Sequence, residues 1–319
     1  MKFVEHVKLT PQAVIDTLNF KHSFKKIPDR VRRLYIIGSG SSYSQALYLA
    51  SLFNEHSRFK AICENPYSFV KYSNFDTDDL CIHFSQEAKR NDNICPIRFA
   101  KKKGGHTILF TSKPETPLVK DVDEVYWYAP EVEKILVASM SYAAGYAAAL
   151  KYFNAQMNFN GRTPINYDIE EIEKSMNRAW ETEYGFKDVF TVYLYSGYGQ
   201  SIAVEGALKV NECLLQDGEA YEIKHYSHGK HFVSYNRDRL YNVIYHEKDQ
   251  NLVDLYRETI FEKHHLINYM KSSSRPEIAI FDWLMQMLVF TAYGMKKKNI
   301  ELKDMPIRDK IKIPHDFKY

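Results

Sequence analysis

Short runs of apolar residues alternate along the chain with longer segments in which apolar residues recur at helical spacing. Residues 34–37 have the apolar, β-rich content of a buried parallel strand. This run ends at a turn of glycines and serines at 38–42, and a helical pattern resumes over 43–54. A strand, a turn and a helix in this order predict the first unit of a doubly wound parallel sheet.

More such units are predicted before residue 160. An N-terminal helix is expected over 10–27, with Thr10 as its N-cap and Pro11 as its first residue. The later elements are predicted strands at 80–84, 107–111 and 124–128 and predicted helices at 94–103 and 137–157. Asparagine, glycine and proline within 158–164 mark the expected domain boundary. We therefore expect an N-terminal helical segment at 1–30, a first domain at 31–160 and a second domain with a C-terminal tail at 161–319.

The second half repeats this plan. Its predicted elements are strands at 189–194 and 240–245, a glycine-rich turn at 195–199, and helices at 201–215, 249–263 and 278–295. Ser39 and Gly40 in the first turn correspond to Ser196 and Gly197 in the second, at the same strand-to-helix junction. Duplication of an α/β domain is the favoured interpretation. The expected fold is two flavodoxin-like αβα sandwiches, each with a parallel five-stranded sheet.

Composition narrows the class of protein. Apolar residues make up 45% of the 319, and 43 Lys+Arg against 40 Asp+Glu leave a net charge of +3. This balance indicates a globular chain and argues against a nucleic-acid partner. The four cysteines lie far apart, which is typical of reduced thiols in a cytoplasmic protein. The apolar stretch 278–295 contains Asp282 and Gln286, so we expect a buried helix and no membrane partner.

The first turn is a candidate anion site. Gly40 permits close approach of the backbone, the hydroxyls of Ser41 and Ser42 can donate, and the following helix N-terminus favours an anion. A phosphate or sugar-hydroxyl cradle and a simple capped turn are about equally compatible with this pattern. Tyr43 stands where the third glycine of a dinucleotide fingerprint belongs, so no nucleotide cofactor is expected.

The densest polar cluster lies in the second half. Glu205, Lys209 and Glu212 are spaced i, i+4 and i+7 on one helix, which places them on a single face. A solvated salt-bridge stripe has the same spacing, but a carboxylate beside a cation also suits proton transfer. His225, His228 and His231 follow; with no carboxylate or cysteine to complete a set, a catalytic histidine is favoured over a metal site.

Four motifs resemble the sugar isomerase (SIS) domain family, in particular its tandem-domain members such as the isomerase domain of glucosamine-6-phosphate synthase and related deglycases. Gly40-Ser41-Ser42-Tyr43 is similar to a family Gly-Thr-Ser-Tyr turn, and Ser85-Gln86 to the start of a Ser-Gln-Ser-Gly-Glu-Thr phosphate loop. Val137-Ala138-Ser139 matches a Val-Ala-Ser motif. The segment 203–212 resembles Ala-Leu-Glu-Gly-Ala-Leu-Lys-Leu-Lys-Glu and continues without a gap to His228-Gly229.

The resemblance implies a role for each matching residue. Glu212 would be the base that moves a proton between C1 and C2, Lys209 would stabilise the enediolate oxygen, and His228 would assist ring opening from the partner subunit of a homodimer. The sugar phosphate would be held by further residues on these motifs: Gly40, Ser41, Ser42, Ser85, Gln86, Ser139 and Glu205. The implied activity is aldose–ketose isomerisation, deglycation or deamination without a cofactor or metal. A non-catalytic sugar-phosphate sensor and an unrelated α/β binding module are the alternatives.

The sequence departs from the family pattern at several places. Residues 225–230 read His-Tyr-Ser-His-Gly-Lys where the family has Glu-Leu-Lys-His-Gly-Pro, so the glutamate and the proline are missing. Residues 87–90 read Glu-Ala-Lys-Arg where the phosphate loop has Ser-Gly-Glu-Thr. Glu87 would repel a phosphate, and Lys89 or Arg90 could restore binding as a charge-assisted pair. The ring-opening lysine of the synthase has two candidate counterparts, Lys310 and Lys312.

Overall fold

The computed structural model describes residues 3–113, 115–128, 137–159, 172, 174, 189–235, 239–261 and 266–301. The predicted boundary near residue 160 and the two C-terminal lysines, Lys310 and Lys312, lie outside these residues. Contacts between Cα atoms divide the chain into two compact units, and each unit holds one parallel sheet.

The first sheet has five parallel strands in the order β2-β1-β3-β4-β5. These strands are β1 Arg33–Ile37, β2 Lys60–Glu64, β3 Asp79–Phe84, β4 His106–Thr111 and β5 Glu124–Trp127. The helices in the N-terminal half of the sequence are α1 Phe3–Asn19, α2 Ser41–His56, α3 Pro66–Tyr72, α4 Asn91–Lys102 and α5 Met140–Met157. Helices α3 and α4 cover one face of the sheet, around a core that includes Tyr35, Phe69 and Ile97. Helices α2 and α5 pack on each other.

The second sheet has four parallel strands among the described residues, in the order β7-β6-β8-β9. The strands are β6 Phe190–Tyr195, β7 Gly218–Glu222, β8 Arg239–His246 and β9 Ile267–Ser272. The helices are α6 Gly199–Lys209, α7 Ile223–Tyr226, α8 Gln250–Thr259 and α9 Ala279–Lys297. The four strands of the second sheet therefore follow the same order as β2-β1-β3-β4 of the first sheet. Only six residues separate the end of β9 from the start of α9, so the predicted fifth strand does not form between them.

The predicted α/β class with two parallel sheets is confirmed, and the N-terminal helix is the clearest error. Helix α1 begins at Phe3 and ends at Asn19, whereas 10–27 was expected. Pro11 lies inside the helix, and Thr10, expected as its cap, is fully buried. The physical reason is an apolar face formed by Phe3, Val7 and Val14, whose burial outweighs the one backbone hydrogen bond that proline cannot donate.

Within the described ranges, no helix combines the length and the hydropathy that crossing a bilayer requires. Helix α9 is almost entirely buried against protein, as expected for 278–295, and Asp282 accepts hydrogen bonds there from Ser272 and Ser274.

Candidate functional site

The turn after β1 is shaped by two glycines. A Cβ on Gly38 would lie 2.3 Å from the carbonyl oxygen of Ser42, so no larger residue fits. Gly40 is the N-cap of α2 and has a φ of 55°, a backbone conformation that favours glycine. The predicted ligands Ser41 and Ser42 occupy the first turn of α2 and are partly exposed. The turn therefore presents hydroxyls and a helix N-terminus at the carboxyl end of β1, an inner strand of the sheet.

The loop after β3 lies beside this turn, because β1 and β3 pair in parallel with Ile37 opposite His83. Ser85 is buried, and its hydroxyl oxygen accepts a hydrogen bond of 2.9 Å from the backbone N–H of Ala88. The carbonyl of Gln86 accepts hydrogen bonds of 3.0 Å from the hydroxyls of Thr111 and Ser112 at the end of β4. Both predicted loop residues thus fix the shape of the loop.

Ala88 adopts the left-handed conformation, with a φ of 48°. It stands at the loop position where the family motif has glycine, so the backbone keeps a glycine-type conformation although the side chain has changed. An alanine in this conformation costs about 1 kcal/mol relative to glycine. The loop geometry is therefore maintained against strain, with the carbonyl of Ala88 held by the hydroxyl of Thr116 at 2.8 Å.

Two lysines neutralise Glu87. Lys89 Nζ lies 2.6 Å from its Oε2, and Lys113 Nζ, on the segment after β4, lies 2.9 Å from its Oε1. Partial burial opposes ionisation of the carboxylate, but the two ammonium groups outweigh burial and lower its pKa. The two lysines thus offset the predicted repulsion between Glu87 and a phosphate, and Lys89 forms an ion pair with Glu87. Arg90 lies at the N-cap of α4 and is partly exposed.

Ser139 is the N-cap of α5 and is fully buried. The first turn of α5 lies against α2, because the Gln45 side-chain amide donates to the carbonyl of Tyr142 at 3.0 Å. The predicted ligands on the turn after β1, the loop after β3 and the start of α5 therefore all belong to one end of the first sheet.

In the second unit, Lys209 bridges two carboxylates on α6 and the turn that follows it. Its Nζ lies 2.7 Å from Glu205 Oε1 and 3.1 Å from Glu212 Oε2. Glu205 and Lys209 are completely buried, whereas 41% of the Glu212 side chain is exposed. The predicted common face is confirmed, and Glu212 is its solvent-accessible member.

Burial works against the charged form of Lys209, but Glu205 and Glu212 outweigh it and raise the pKa of the ammonium. Lys209 therefore stays protonated throughout the physiological range. The ammonium of Lys209 holds the half-exposed carboxylate of Glu212 in place, and a general base must be positioned in this way.

Glu212 lies in a π-helical turn, Val210–Leu214, where a continuous α-helix over 201–215 was expected. Such turns insert one extra residue and are frequent at functional sites. The turn ends at Leu215 in the left-handed conformation. Under α6, Gly206 admits the ring of Tyr193, because a Cβ there would lie 2.5 Å from two ring carbons.

His228 is exposed on the segment that follows α7, and its backbone N–H donates to the carbonyl of His225 at 3.0 Å. His225 is exposed as well, while His231 packs its ring on Phe232, with centroids 4.2 Å apart. Within the described part of the chain, no group of three His, Cys, Asp or Glu residues is arranged to hold a metal ion.

The turn after β6 has the same backbone feature as the turn after β1, but a carboxylate of the protein is already bound to it. Gly197 has a φ of 49°, close to that of Gly40. The hydroxyl of Ser196, however, donates a hydrogen bond of 2.6 Å to Asp249 Oδ2. A fixed carboxylate at this turn repels an anion, so the first turn is the better candidate for a phosphate.

The sequence analysis did not predict two residues that bind these loops: Lys113, which contacts Glu87, and Asp249, which contacts Ser196. Lys113 stands outside every motif and reaches the loop only because β4 pairs with β3. Asp249 follows β8, which pairs with β6 in the same way. Strand adjacency in the fold, not spacing in the sequence, brings each to its partner.

Comparison with known proteins agrees with this picture. Residues 29–153 match the family model of the SIS domain. A glutamine–fructose-6-phosphate aminotransferase (isomerizing) of Sulfolobus acidocaldarius is 22% identical over 299 residues, which is 87% of this chain and 49% of that protein. The corresponding enzyme of Clostridium tetani is 24% identical over 230 residues, 64% of this chain and 36% of that protein. The chain thus matches less than half the length of these relatives.

Solved structures share the fold of the whole chain. Glucosamine-6-phosphate deaminase of Thermotoga maritima superposes with a TM-score of 0.77 at 19% identity, covering 96% of this chain and 98% of that one. The C-terminal domain of glucosamine-fructose-6-phosphate aminotransferase of Francisella tularensis gives a TM-score of 0.70 at 15% identity, covering 93% and 96%. The predicted resemblance is confirmed: residues 29–153 match the SIS domain, and the fold of two parallel sheets is shared with these structures.

Proposed function

We propose that this protein binds a sugar phosphate and is an enzyme that moves a proton between C1 and C2 of the sugar. The reaction class is aldose–ketose isomerisation, or deglycation or deamination of a phosphorylated amino sugar through an enolamine. The observation that carries the proposal is the half-exposed carboxylate of Glu212, held 3.1 Å from the buried ammonium of Lys209.

Proton transfer is assigned to Glu212. Its carboxylate takes the proton from C2 of the open-chain aldose. The electron pair of that C–H bond forms the C1–C2 double bond while the π pair of the C1 carbonyl moves onto O1, which gives an enediolate. The same carboxylic acid then returns the proton to C1, and the hydroxyl proton of C2 moves to O1 as the C2 carbonyl forms. Lys209 and Glu205 are wholly buried, so their main role is to hold Glu212 in position. The positive charge of Lys209 also offsets the negative charge that develops on the sugar oxygen.

Ligand binding is assigned to the first sheet. Ser42, on the first turn of α2, and Arg90, at the N-cap of α4, would contact the sugar and its phosphate, with the loop Ser85-Gln86 and the buried Ser139 shaping that end of the sheet. Relatives of this chain are named for fructose 6-phosphate and glucosamine 6-phosphate, which are phosphorylated hexoses. We propose a substrate of this class.

We also propose that the enzyme is a cytoplasmic homodimer in which His228 assists ring opening at the partner's site. His228 is exposed, and Phe232 and Val233 close to it are 65% and 40% exposed apolar residues. Apolar side chains exposed together favour an interface between subunits. All four cysteines are free, which suits a reducing compartment.

The experiment is solvent exchange. Wild-type protein and Glu212→Gln are incubated with glucosamine 6-phosphate or fructose 6-phosphate in deuterated water, and deuterium at C1 and C2 is followed by proton NMR. Glutamine keeps the size and a hydrogen-bonding oxygen but cannot take a proton, so exchange should slow by ~10²–10⁴. The affinity for the sugar phosphate should be retained.

Glu258→Gln, an exposed carboxylate on α8, is the matched control and should exchange at the wild-type rate. Undiminished exchange in Glu212→Gln would remove Glu212 from the mechanism. Clear binding of either sugar phosphate without any exchange by the wild type would instead identify a non-catalytic sugar-phosphate sensor.

A further inference from the structure

The carboxylate of Glu87 is held by two separate ammonium groups, one on each oxygen. Lys89 contacts Oε2 from within the loop, and Lys113 contacts Oε1 from the segment after β4. Two cations that converge on the two oxygens of one carboxylate form a ready-made receptor for an oxyanion. A phosphate monoester offers the same kind of two-oxygen edge and carries up to twice the charge.

The cluster is accessible and weakly held. The side chains of Glu87, Lys89 and Lys113 are 40%, 50% and 35% exposed. Exposed ion pairs of this kind contribute little to stability, so another anion can displace Glu87 easily. With Glu87 turned away, both ammonium groups lose their partner and become available to the displacing anion.

The position of the cluster is also that of a ligand site. The loop that carries Glu87 follows β3, Lys113 follows β4, and these neighbouring parallel strands end at the same edge of the sheet. Ligands of open α/β sheets bind outside this edge. The loop itself is anchored independently of the cluster, through Ser85, Thr111 and Ser112.

We propose that Lys113 is a phosphate-binding residue of this protein, and that Glu87 is an internal carboxylate which occupies the place of the phosphate until the ligand displaces it. The proposal rests on the proposed binding of a sugar phosphate. Lys89 and Lys113 would take the place of the hydroxyls that the phosphate loop lacks, and Lys113 comes from the segment after β4, not from the loop itself. The proposal also gives Glu87 a regulatory effect, since the carboxylate competes with the ligand and lowers its affinity.

The test is calorimetric titration of the full-length protein with glucosamine 6-phosphate and, separately, with glucosamine. Lys113→Ala should raise the dissociation constant of the phosphorylated ligand about tenfold, because one charge-assisted hydrogen bond is lost. Lys113→Arg should restore most of the affinity. Glu87→Gln should lower the dissociation constant about threefold, because the competing charge is gone. Glucosamine should show neither change.

Lys102→Ala is the matched control, because this exposed lysine lies at the far end of α4, about 16 Å along the helix from its N-terminus. It should bind as the wild type does. If Lys113→Ala binds glucosamine 6-phosphate with unchanged affinity, the role of Lys113 is wrong while the proposed function stands. If Glu87→Gln binds more weakly, Glu87 is not a competitor. If the wild type binds neither glucosamine 6-phosphate nor fructose 6-phosphate, the proposed function itself is wrong.

Discussion

At the scale of single residues, one lysine serves two carboxylates whose surroundings differ. Lys209 and Glu205 are excluded from solvent, while Glu212 is partly exposed. A buried charge needs a partner because the interior cannot solvate it, whereas an exposed carboxylate is already solvated by water. Glu205 therefore has the structural role in the cluster, and Glu212 is the accessible carboxylate to which the proposed function assigns proton transfer.

This division predicts unequal effects on stability. Glu205→Gln should lower the free energy of unfolding by about 3 kcal/mol, because it removes the completely buried carboxylate that lies 2.7 Å from the buried ammonium of Lys209. Glu212→Gln should lower it by less than about 1 kcal/mol. Both values are measured by urea denaturation at neutral pH.

The double variant Glu205→Gln with Lys209→Met is the control, since it removes both buried charges and should be more stable than Glu205→Gln alone. Equal losses in Glu205→Gln and Glu212→Gln would contradict the division, because they would mean that both carboxylates carry the same structural load.

At the scale of elements, the loop after β3 keeps a left-handed residue that is not glycine. Ala88→Gly removes a buried methyl group but also relieves about 1 kcal/mol of backbone strain. Ala46→Gly removes an equally buried methyl from the interior of α2 and adds about 1 kcal/mol of helix propensity cost. We therefore expect Ala88→Gly to be more stable than Ala46→Gly by about 2 kcal/mol in urea denaturation. Equal destabilisation of the two variants would show that the loop is not strained at residue 88.

The elements that sequence reasoning located and those it missed differ in burial. Strands β1, β3, β4, β6 and β8 were placed within one or two residues, because the inner strands of a parallel sheet form continuous apolar runs. The one edge strand that was also predicted is β5, expected at 124–128 and observed at Glu124–Trp127. Strands β2, β7 and β9 were missed, and all three lie at sheet edges. The residues of β7 are only partly buried throughout, so the strand has neither a continuous apolar run nor a clear alternation.

The residues of the candidate site also fall into those that the sequence predicted and those that it did not. The face of Glu205, Lys209 and Glu212 was predictable because the three residues have helical spacing in the sequence, on α6 and the π-helical turn that continues it. The π-turn that holds Glu212 left no signal, since it depends on how α6 meets the sheet and α9. Lys113 was equally hidden, because a contact between loops of neighbouring strands has no spacing in the sequence that could reveal it.

At the scale of the whole molecule, the two sheets share a strand order but differ in the chemistry of their first turn. Both turns have a glycine with positive φ, at Gly40 and Gly197. In the second sheet, Asp249 accepts a hydrogen bond from Ser196 at this turn. In the first sheet, the turn leads directly to the serines at the start of α2. In the proposed function the two units therefore have different roles: the loops of the first sheet would bind the anion, and the second unit carries the Glu212 cluster.

The proposed homodimer leads to a prediction about the assembled molecule. If His228 works at the partner's site, Glu212→Gln and His228→Ala should each be inactive as pure homodimers, because both of their sites lack one group. A mixed dimer contains one site with both groups intact, and random mixing makes half of all dimers mixed. Refolding the two variants together at equal amounts should therefore restore about a quarter of the wild-type rate of deuterium exchange. If the mixture stays inactive although sedimentation shows mixed dimers, His228 acts within its own subunit; a monomeric wild type would exclude the shared site altogether.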